Sequence, residues 1–295
     1  MSLSTHHGAS PALVPAGLRF LIAALWAFLI FRGTGIVYDL LPAHNLIPGV
    51  LYGILGSALL GAGFFFFVRV LDGVEMPPML SLSLPLDRTA LRQWAGGTAL
   101  GVVFILADAV AIAVFGELRL HLHLNRAALL RAFLGAAMLL GGALMEELAF
   151  RGYPFQKLAE SFGTLWAVLL LAALFGAVHL ANPGSAGWRS CAFFNTLAVG
   201  ILFALARIRS GSLWLPFGMH FGWNLCQGIF FGLPVSGLTQ FASVVTTRTH
   251  GPALLTGGLY GPEASATCSL VLLAALPITW LCTASRRMQH RPEKH

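Results

Sequence analysis

Charged residues are scarce in this 295-residue chain, where they make up 10% of the sequence against 57% hydrophobic residues. Soluble domains carry roughly 25% charged residues, so this composition excludes a soluble globular protein. Cysteine is also rare, and the four cysteines (Cys191, Cys226, Cys268 and Cys282) have no paired spacing. That argues against a disulfide framework or a zinc knuckle and favours buried free thiols. The sequence also lacks an internal repeat and a long low-complexity linker.

Apolar runs long enough to cross a bilayer recur along the chain. By the roughly 20-residue criterion for a spanning helix, about eight segments qualify. They are residues 18–41, 48–70, 95–115, 130–150, 162–181, 191–208, 213–233 and 267–284. The sequence therefore predicts an all-α fold, a polytopic membrane helical bundle.

The net charge of +7 follows from membrane topology. Eight spans place both termini on one side, and that side holds twelve of the 18 Lys and Arg residues, including Arg291 and Lys294 near the C-terminus. The positive-inside rule then predicts a multi-pass protein of the cell membrane with both termini cytoplasmic. Because the basic residues follow this pattern, nucleic acid is not an expected partner, whereas the lipid bilayer is.

Two adjacent carboxylates, Glu146 and Glu147, end the fourth apolar run. Ionisable groups at membrane depth are costly, so each is a functional candidate by default. Glu147 and Arg151 are four residues apart on one helical face and are expected to pair, while Glu146 points about 100° away. The alternative is a charge cluster at the membrane interface, with Arg151 extending toward the headgroups.

Two further apolar segments carry polar side chains. His179 shares a helix face with Phe175 and lies just before Pro183, which marks the helix end. His220 and Asn224 are four residues apart and project from one face of another helix. Each could be structural, as a hydrogen-bonded histidine or an interhelical contact. One converging site explains all three segments more simply.

These residues resemble the CPBP family of intramembrane proteases, which includes the type II CAAX prenyl endopeptidases and the ABI bacteriocin-immunity proteins. The family pattern is E-E-x-x-x-R, then F-x-x-x-H, then H-x-x-x-N, and the likeness covers residues 127–232. The matching positions are Glu146, Glu147 and Arg151, then Phe175 and His179, then His220 and Asn224. The segment around Asn195 and the S-G-S-L-W turn also resembles the family.

Peptide hydrolysis in a membrane needs an activated water and stabilisation of a tetrahedral oxyanion. Glu146 suits the general base, His179 can hold the same water, and His220 with Asn224 can supply oxyanion donors. Glu147, Arg151 and Asn195 are expected to support them. Glu146, His179 and His220 could instead bind zinc with an open water position. Since H-E-x-x-H is absent, a metal-independent water is favoured and zinc stays the alternative.

The resemblance divides the chain into N-terminal helices (1–126), a catalytic core (127–232) and a loop with a C-terminal helix and basic tail (233–295). It implies an endopeptidase acting on a membrane-associated protein or peptide, prenylated or not. A transporter with intramembrane Glu and His, or a non-catalytic membrane partner, is the alternative. Glu146 and His220 fall toward the cytoplasmic side, which predicts a cavity in that half. A straight helix that starts at residue 162 would place His179 about 26 Å from the cytoplasmic boundary. The fifth helix is therefore expected to be deep or oblique.

Overall fold

Long helices account for most of the chain, as the apolar runs predict. The computed structural model describes residues 14–41, 46–187 and 189–288; Arg291 and Lys294 of the predicted basic tail lie outside them. The elements are α1 (Ala16–Leu40), α2 (Ile47–Val70), α3 (Pro78–Ser81), α4 (Arg88–Phe115), β1 (Glu117–Leu122), α5 (Arg126–Arg151), α6 (Tyr153–Phe162), α7 (Thr164–Val178), α8 (Cys191–Ser210), α9 (Trp214–Leu225), β2 (Val245–His250), α10 (Ala253–Thr256) and α11 (Ala266–Met288).

Seven helical stretches in this described part are long and apolar enough to cross a membrane. They are α1, α2, α4, α5 with α6, α7 with the turn after it, α8 and α11. The predicted all-α polytopic bundle is therefore confirmed. The eighth predicted span, 213–233, differs: it forms the 12-residue α9 and a five-residue π-helical turn, Cys226–Phe230.

Helix α9 is short because it lies inside the bundle, where protein and not lipid surrounds it. It runs alongside α4 at a separation that only glycine permits. A Cβ atom on Gly101 would lie 2.1 Å from the Met219 carbonyl oxygen, and one on Gly222 would lie 2.3 Å from the Thr98 carbonyl oxygen. Small residues let helix backbones approach closely in membranes. This contact fixes the depth of His220 and its neighbours in the bundle.

The two ends of the bundle differ in character. At one end, buried charges tie α1, α2 and α6 together: Arg19 pairs with Asp72, and Lys157 Nζ lies 2.9 Å from Asp72 Oδ2. Arg207 donates to Ser83 Oγ at this same end, over 2.8 Å. At the other end, β1 pairs antiparallel with β2, an element that the apolar runs did not predict. The pairing satisfies backbone groups of two segments that are far apart in sequence.

The α5–α6–α7 hairpin resolves the expected mismatch in the depth of His179. Helix α5 does not end the crossing at Arg151, because after Gly152 the chain continues as α6 to Phe162. Helix α7 then returns from Thr164. About as many residues separate Glu147 from this reversal as separate the reversal from His179, so the two reach a similar level. An oblique fifth helix is not required.

Candidate active site

Glu147 and Arg151 form the predicted ion pair in the interior of the protein. Arg151 Nη1 lies 3.1 Å from Glu147 Oε1, and the two side chains are 2% and 0% exposed. Arg151 Nη2 also donates to the carbonyl oxygen of Gly200 in α8, over 3.3 Å. Buried charges need such partners, because removing an ion from water is expensive. One of the two adjacent carboxylates is thereby neutralised.

Aromatic rings surround the Arg151 guanidinium. Its central carbon lies 4.4 Å from the ring centroid of Phe175, 5.4 Å from that of Phe203 and 5.7 Å from that of Phe150. Cation–π contacts of this kind contribute up to about 2 kcal/mol when water is excluded. The rings come from α5, α7 and α8, so the arginine also holds these three helices together beside the glutamates.

His220 lies between the two glutamates. Its Nδ1 is 2.9 Å from Glu147 Oε1 and its Nε2 is 3.8 Å from Glu146 Oε2. The ring stacks on Phe203 with centroids 5.1 Å apart. Glu147 Oε1 can only accept a hydrogen bond, so Nδ1 donates and Nε2 is the atom directed at Glu146. Glu146 Oε2 is buried and has no hydrogen-bond partner in the described part of the chain.

His179 lies where α7 ends, one helical turn after Phe175. Its Nδ1 is 2.7 Å from the Phe175 carbonyl oxygen, and the two rings are 4.6 Å apart. The carbonyl accepts, so Nδ1 carries the proton and Nε2 of the neutral ring is left as an acceptor. The Phe175 ring also lies 6.3 Å from the His220 ring. Phe175 therefore connects the two histidines.

His179, His220 and Asn224 line one cavity, with Phe175, Phe203 and Trp223 among its apolar walls. The cavity has about 30 Å³ of room for the centres of water molecules. One water needs roughly 10–15 Å³ measured in this way, so about two waters fit. The sequence-predicted residues thus converge, and the two glutamates approach this group through His220.

Several residues of the cavity wall were not predicted from the sequence, among them the polar Ser236 and Glu263. Glu263 is 6% exposed, and burial raises the pKa of its carboxyl to about 7. Asn195, predicted to support the site, donates through Nδ2 to the carbonyl oxygens of Glu263 and Ser265, each over 2.8 Å. It holds the turn that carries Glu263. A signal existed, since Glu263 is the only acidic residue between Glu160 and Glu293.

The position of the wall that contains Ser236 and Glu263 indicates the direction in which the cavity extends. Segment 234–265 lies at the β1–β2 end of the bundle, because the turn carrying Glu263 packs against the start of α8, the end opposite Arg207. The cavity therefore extends from the level of His220 toward the end opposite the basic residues. An opening toward the cytoplasm, like the cytoplasmic position of both termini, stays a prediction.

The three predicted zinc ligands are Glu146, His179 and His220. Within the described residues, no group of three His, Cys, Asp or Glu side chains is placed to hold a metal ion. Glu146 and His220 approach each other, and the Nδ1 hydrogen bond of His179 leaves its Nε2 as a possible ligand. The three side chains as placed do not form a three-ligand set, so no step is assigned to a metal, and the zinc alternative stays a prediction. His121 lies on the exposed strand β1, and His123 just beyond it, with Nε2 3.0 Å from Thr246 Oγ1.

Comparison with known proteins agrees with this geometry. Residues 127–226 match the family described as Type II CAAX prenyl endopeptidase Rce1-like. No curated protein is significantly similar to the chain. The matched segment begins at the start of α5 and ends just after α9, so it contains both glutamates, both cavity histidines and Asn224. The chain is thus a multi-pass helical membrane protein whose residues 127–226 match the Rce1-like family of type II CAAX prenyl endopeptidases.

Proposed function

We propose that the protein hydrolyses a peptide bond of a membrane-associated protein or peptide substrate, using a water activated by Glu146. The observation that carries this proposal is the free Oε2 atom of Glu146, 3.8 Å from a histidine whose other nitrogen is held by Glu147. A carboxylate with an unused acceptor beside a polar cavity is suited to take a proton from water. The family match of this segment supports the same chemistry.

His179 holds the attacking water in this mechanism. Its Nδ1 donates to the Phe175 carbonyl oxygen, so Nε2 can accept one hydrogen of the water while Glu146 takes the other. Both acceptors are fixed by the helices that carry them. Fixed acceptors orient the oxygen lone pair of the water toward the substrate carbonyl and lower the entropic part of the barrier.

His220 and Asn224 stabilise the oxyanion of the tetrahedral intermediate. This role requires the doubly protonated form of His220, whose positive charge offsets the one negative charge that two carboxylates and one arginine leave in the cluster. In that form Nδ1 donates to Glu147 and Nε2 carries a second proton, which is available to the oxyanion. The amide of Asn224, one helical turn further along the same cavity, supplies the second donor. Each such donor contributes about 3–4 kcal/mol to transition-state stabilisation.

The experiment compares membrane proteomes of cells that express the wild type, Glu146→Gln or Glu75→Gln. Glu75 is the matched control, because its side chain is 87% exposed and, among the residues that the structure describes, pairs with Arg69 alone. A substrate should accumulate uncut in the Glu146→Gln cells alone. The same substrate, purified, should be cut by the wild type in detergent. Normal cleavage by Glu146→Gln would refute the role of Glu146, and a proteome identical in all three strains would refute the peptidase function.

A further inference from the structure

Part of the cavity wall comes from outside the family-matched segment. Ser236 and Glu263 lie in the 35-residue connection between the π-helical turn and α11, and they line the cavity together with His179, His220 and Asn224. The matched segment ends at residue 226. The chemistry therefore comes from the matched core, whereas this polar wall belongs to the remainder of the chain.

The Glu263 carboxylate is held in place by neutral donors. Its Oε1 accepts from the backbone N–H of Ser236 over 3.0 Å and from Ser236 Oγ over 3.2 Å. Its Oε2 accepts from Gln227 Nε2 over 2.6 Å. The backbone N–H of Glu263 also hydrogen-bonds to this carboxylate, so all the donors around it are neutral. Among the described residues, Glu263 forms no ion pair, in contrast to Glu147 with Arg151.

The surrounding structure is built to keep this carboxylate on the cavity. Gln227 is fully buried in the π-helical turn, and its Oε1 accepts from Trp223 Nε1 over 2.8 Å. Asn195 holds the backbone of Glu263, and Asn182 Nδ2 donates to the Ser236 carbonyl oxygen over 2.9 Å. Ser236 itself has a positive φ of 47°, a conformation that non-glycine residues adopt only when the surroundings impose it. Every part of this wall is thus constrained.

We propose that Glu263 is a specificity-determining residue that binds a cationic group of the substrate, such as a lysine or arginine side chain or a protonated amine. A buried carboxylate without a counter-charge is unfavourable, and a substrate cation in the cavity supplies that charge. An acidic group at the same position is rejected by like-charge repulsion in a medium of low dielectric constant. This inference rests on the proposed peptidase function and names the substrate class of that site.

Binding is measured separately from cleavage so that the two proposals can fail independently. Full-length Glu146→Gln in detergent is the background, because this variant lacks the proposed general base and so does not turn the peptide over. The probes are fluorescent peptides in which each position in turn carries Lys, Gln or Glu. At one position, Lys should bind about tenfold more tightly than Gln, and Glu more weakly still. Adding Glu263→Gln should bring the Lys-to-Gln ratio of Kd values close to one.

The Lys-to-Gln ratio of Kd values distinguishes substrate recognition by Glu263 from a purely structural role. A merely structural Glu263 would, when replaced, weaken all peptides by the same factor and leave the ratio unchanged, which overturns the inference. Glu263→Asp keeps the charge and should retain part of the preference, and Glu75→Gln should retain all of it. The inference is also overturned if no peptide position shows a preference for Lys over Gln. Cleavage by the wild type without that preference refutes this inference alone, whereas the preference without any cleavage refutes the peptidase function alone.

Discussion

Replacing Glu147 by glutamine should destabilise the protein and inactivate it for two separable reasons. Glu147 Oε1 accepts from both Arg151 Nη1 and His220 Nδ1, over 3.1 and 2.9 Å. Glu147→Gln keeps an oxygen at this place but removes the charge. Arg151 then becomes a buried cation without its ion-pair partner, beside aromatic rings, the Gly200 carbonyl oxygen and the new amide oxygen. His220 loses the negative charge beside its Nδ1–H.

The size of the effect follows from the burial of the pair. Removing one partner of a buried ion pair costs about 3–5 kcal/mol, because the other charge is left uncompensated. The amide oxygen of glutamine can still accept one hydrogen bond from Arg151, so we expect the lower end, about 3 kcal/mol. For a protein of this size, that loss lowers the thermal midpoint by roughly 5–10 °C. Turnover should fall by about 100-fold or more, since one oxyanion donor is weakened.

A double-variant cycle tests whether the pair acts as a unit. Arg151→Met alone should also destabilise, by leaving Glu147 with only His220. Glu147→Gln combined with Arg151→Met removes both charges and should return to within about 1 kcal/mol of the wild type, while activity stays low. Thermal unfolding in detergent, followed by tryptophan fluorescence, measures stability, and turnover is measured well below the lowest midpoint. A double variant whose loss equals the sum of the two single losses would refute the coupling.

Three further outcomes are expected. His179→Ala should abolish turnover with expression and membrane insertion unchanged, whereas His121→Ala on the exposed β1 strand should retain full activity; equal activities would contradict the role of His179. His220→Ala and Asn224→Ala should each cost about 3–4 kcal/mol of transition-state stabilisation, with non-additive effects because both serve one charge; full additivity would indicate separate roles. Burial raises the pKa of Glu263 from 4.5 to about 7, so its contribution to stability is present below pH 4.5 and lost as the pH rises through 7. The free energy of unfolding of Glu263→Gln relative to the wild type, measured from thermal midpoints, should therefore rise by about 3 kcal/mol between pH 4.5 and 8. A difference that does not change with pH would contradict the raised pKa of Glu263.

Local geometry made the helices and the Glu147–Arg151 pair predictable. Apolar runs identify helices in a bilayer because each must satisfy its own backbone, and an i,i+4 spacing brings two side chains to one face whatever the tertiary structure. Phe175 and His179 were expected on one face for the same reason, and their rings are 4.6 Å apart. The two side-chain pairs depend on fewer than two helical turns of sequence, and each spanning helix on one continuous apolar run.

Features that depend on distant contacts could not be predicted in the same way. Helix α6 lies between the predicted spans 130–150 and 162–181, where Lys157 and Glu160 interrupt the apolar pattern. The protein accommodates the buried Lys157 because it pairs with Glu160 in the same helix and, far away in sequence, with Asp72 just after α2. Likewise, Glu263 reaches the cavity only because Asn195, far away in sequence, holds its backbone. No local pattern encodes either contact.

Because Glu146 and Glu147 are adjacent in sequence, they face the two different nitrogens of the His220 imidazole ring. Successive helical residues differ by about 100° in direction, so Glu147 can point into the bundle toward Arg151 while Glu146 points toward the cavity. His220, on the facing helix α9, then meets Glu147 with Nδ1 and Glu146 with Nε2. Carboxylates three or four residues apart would share one face, compete for the same arginine and leave Nε2 without an acidic neighbour. The adjacent spacing therefore lets Glu147 hold the histidine beside which Glu146 lies.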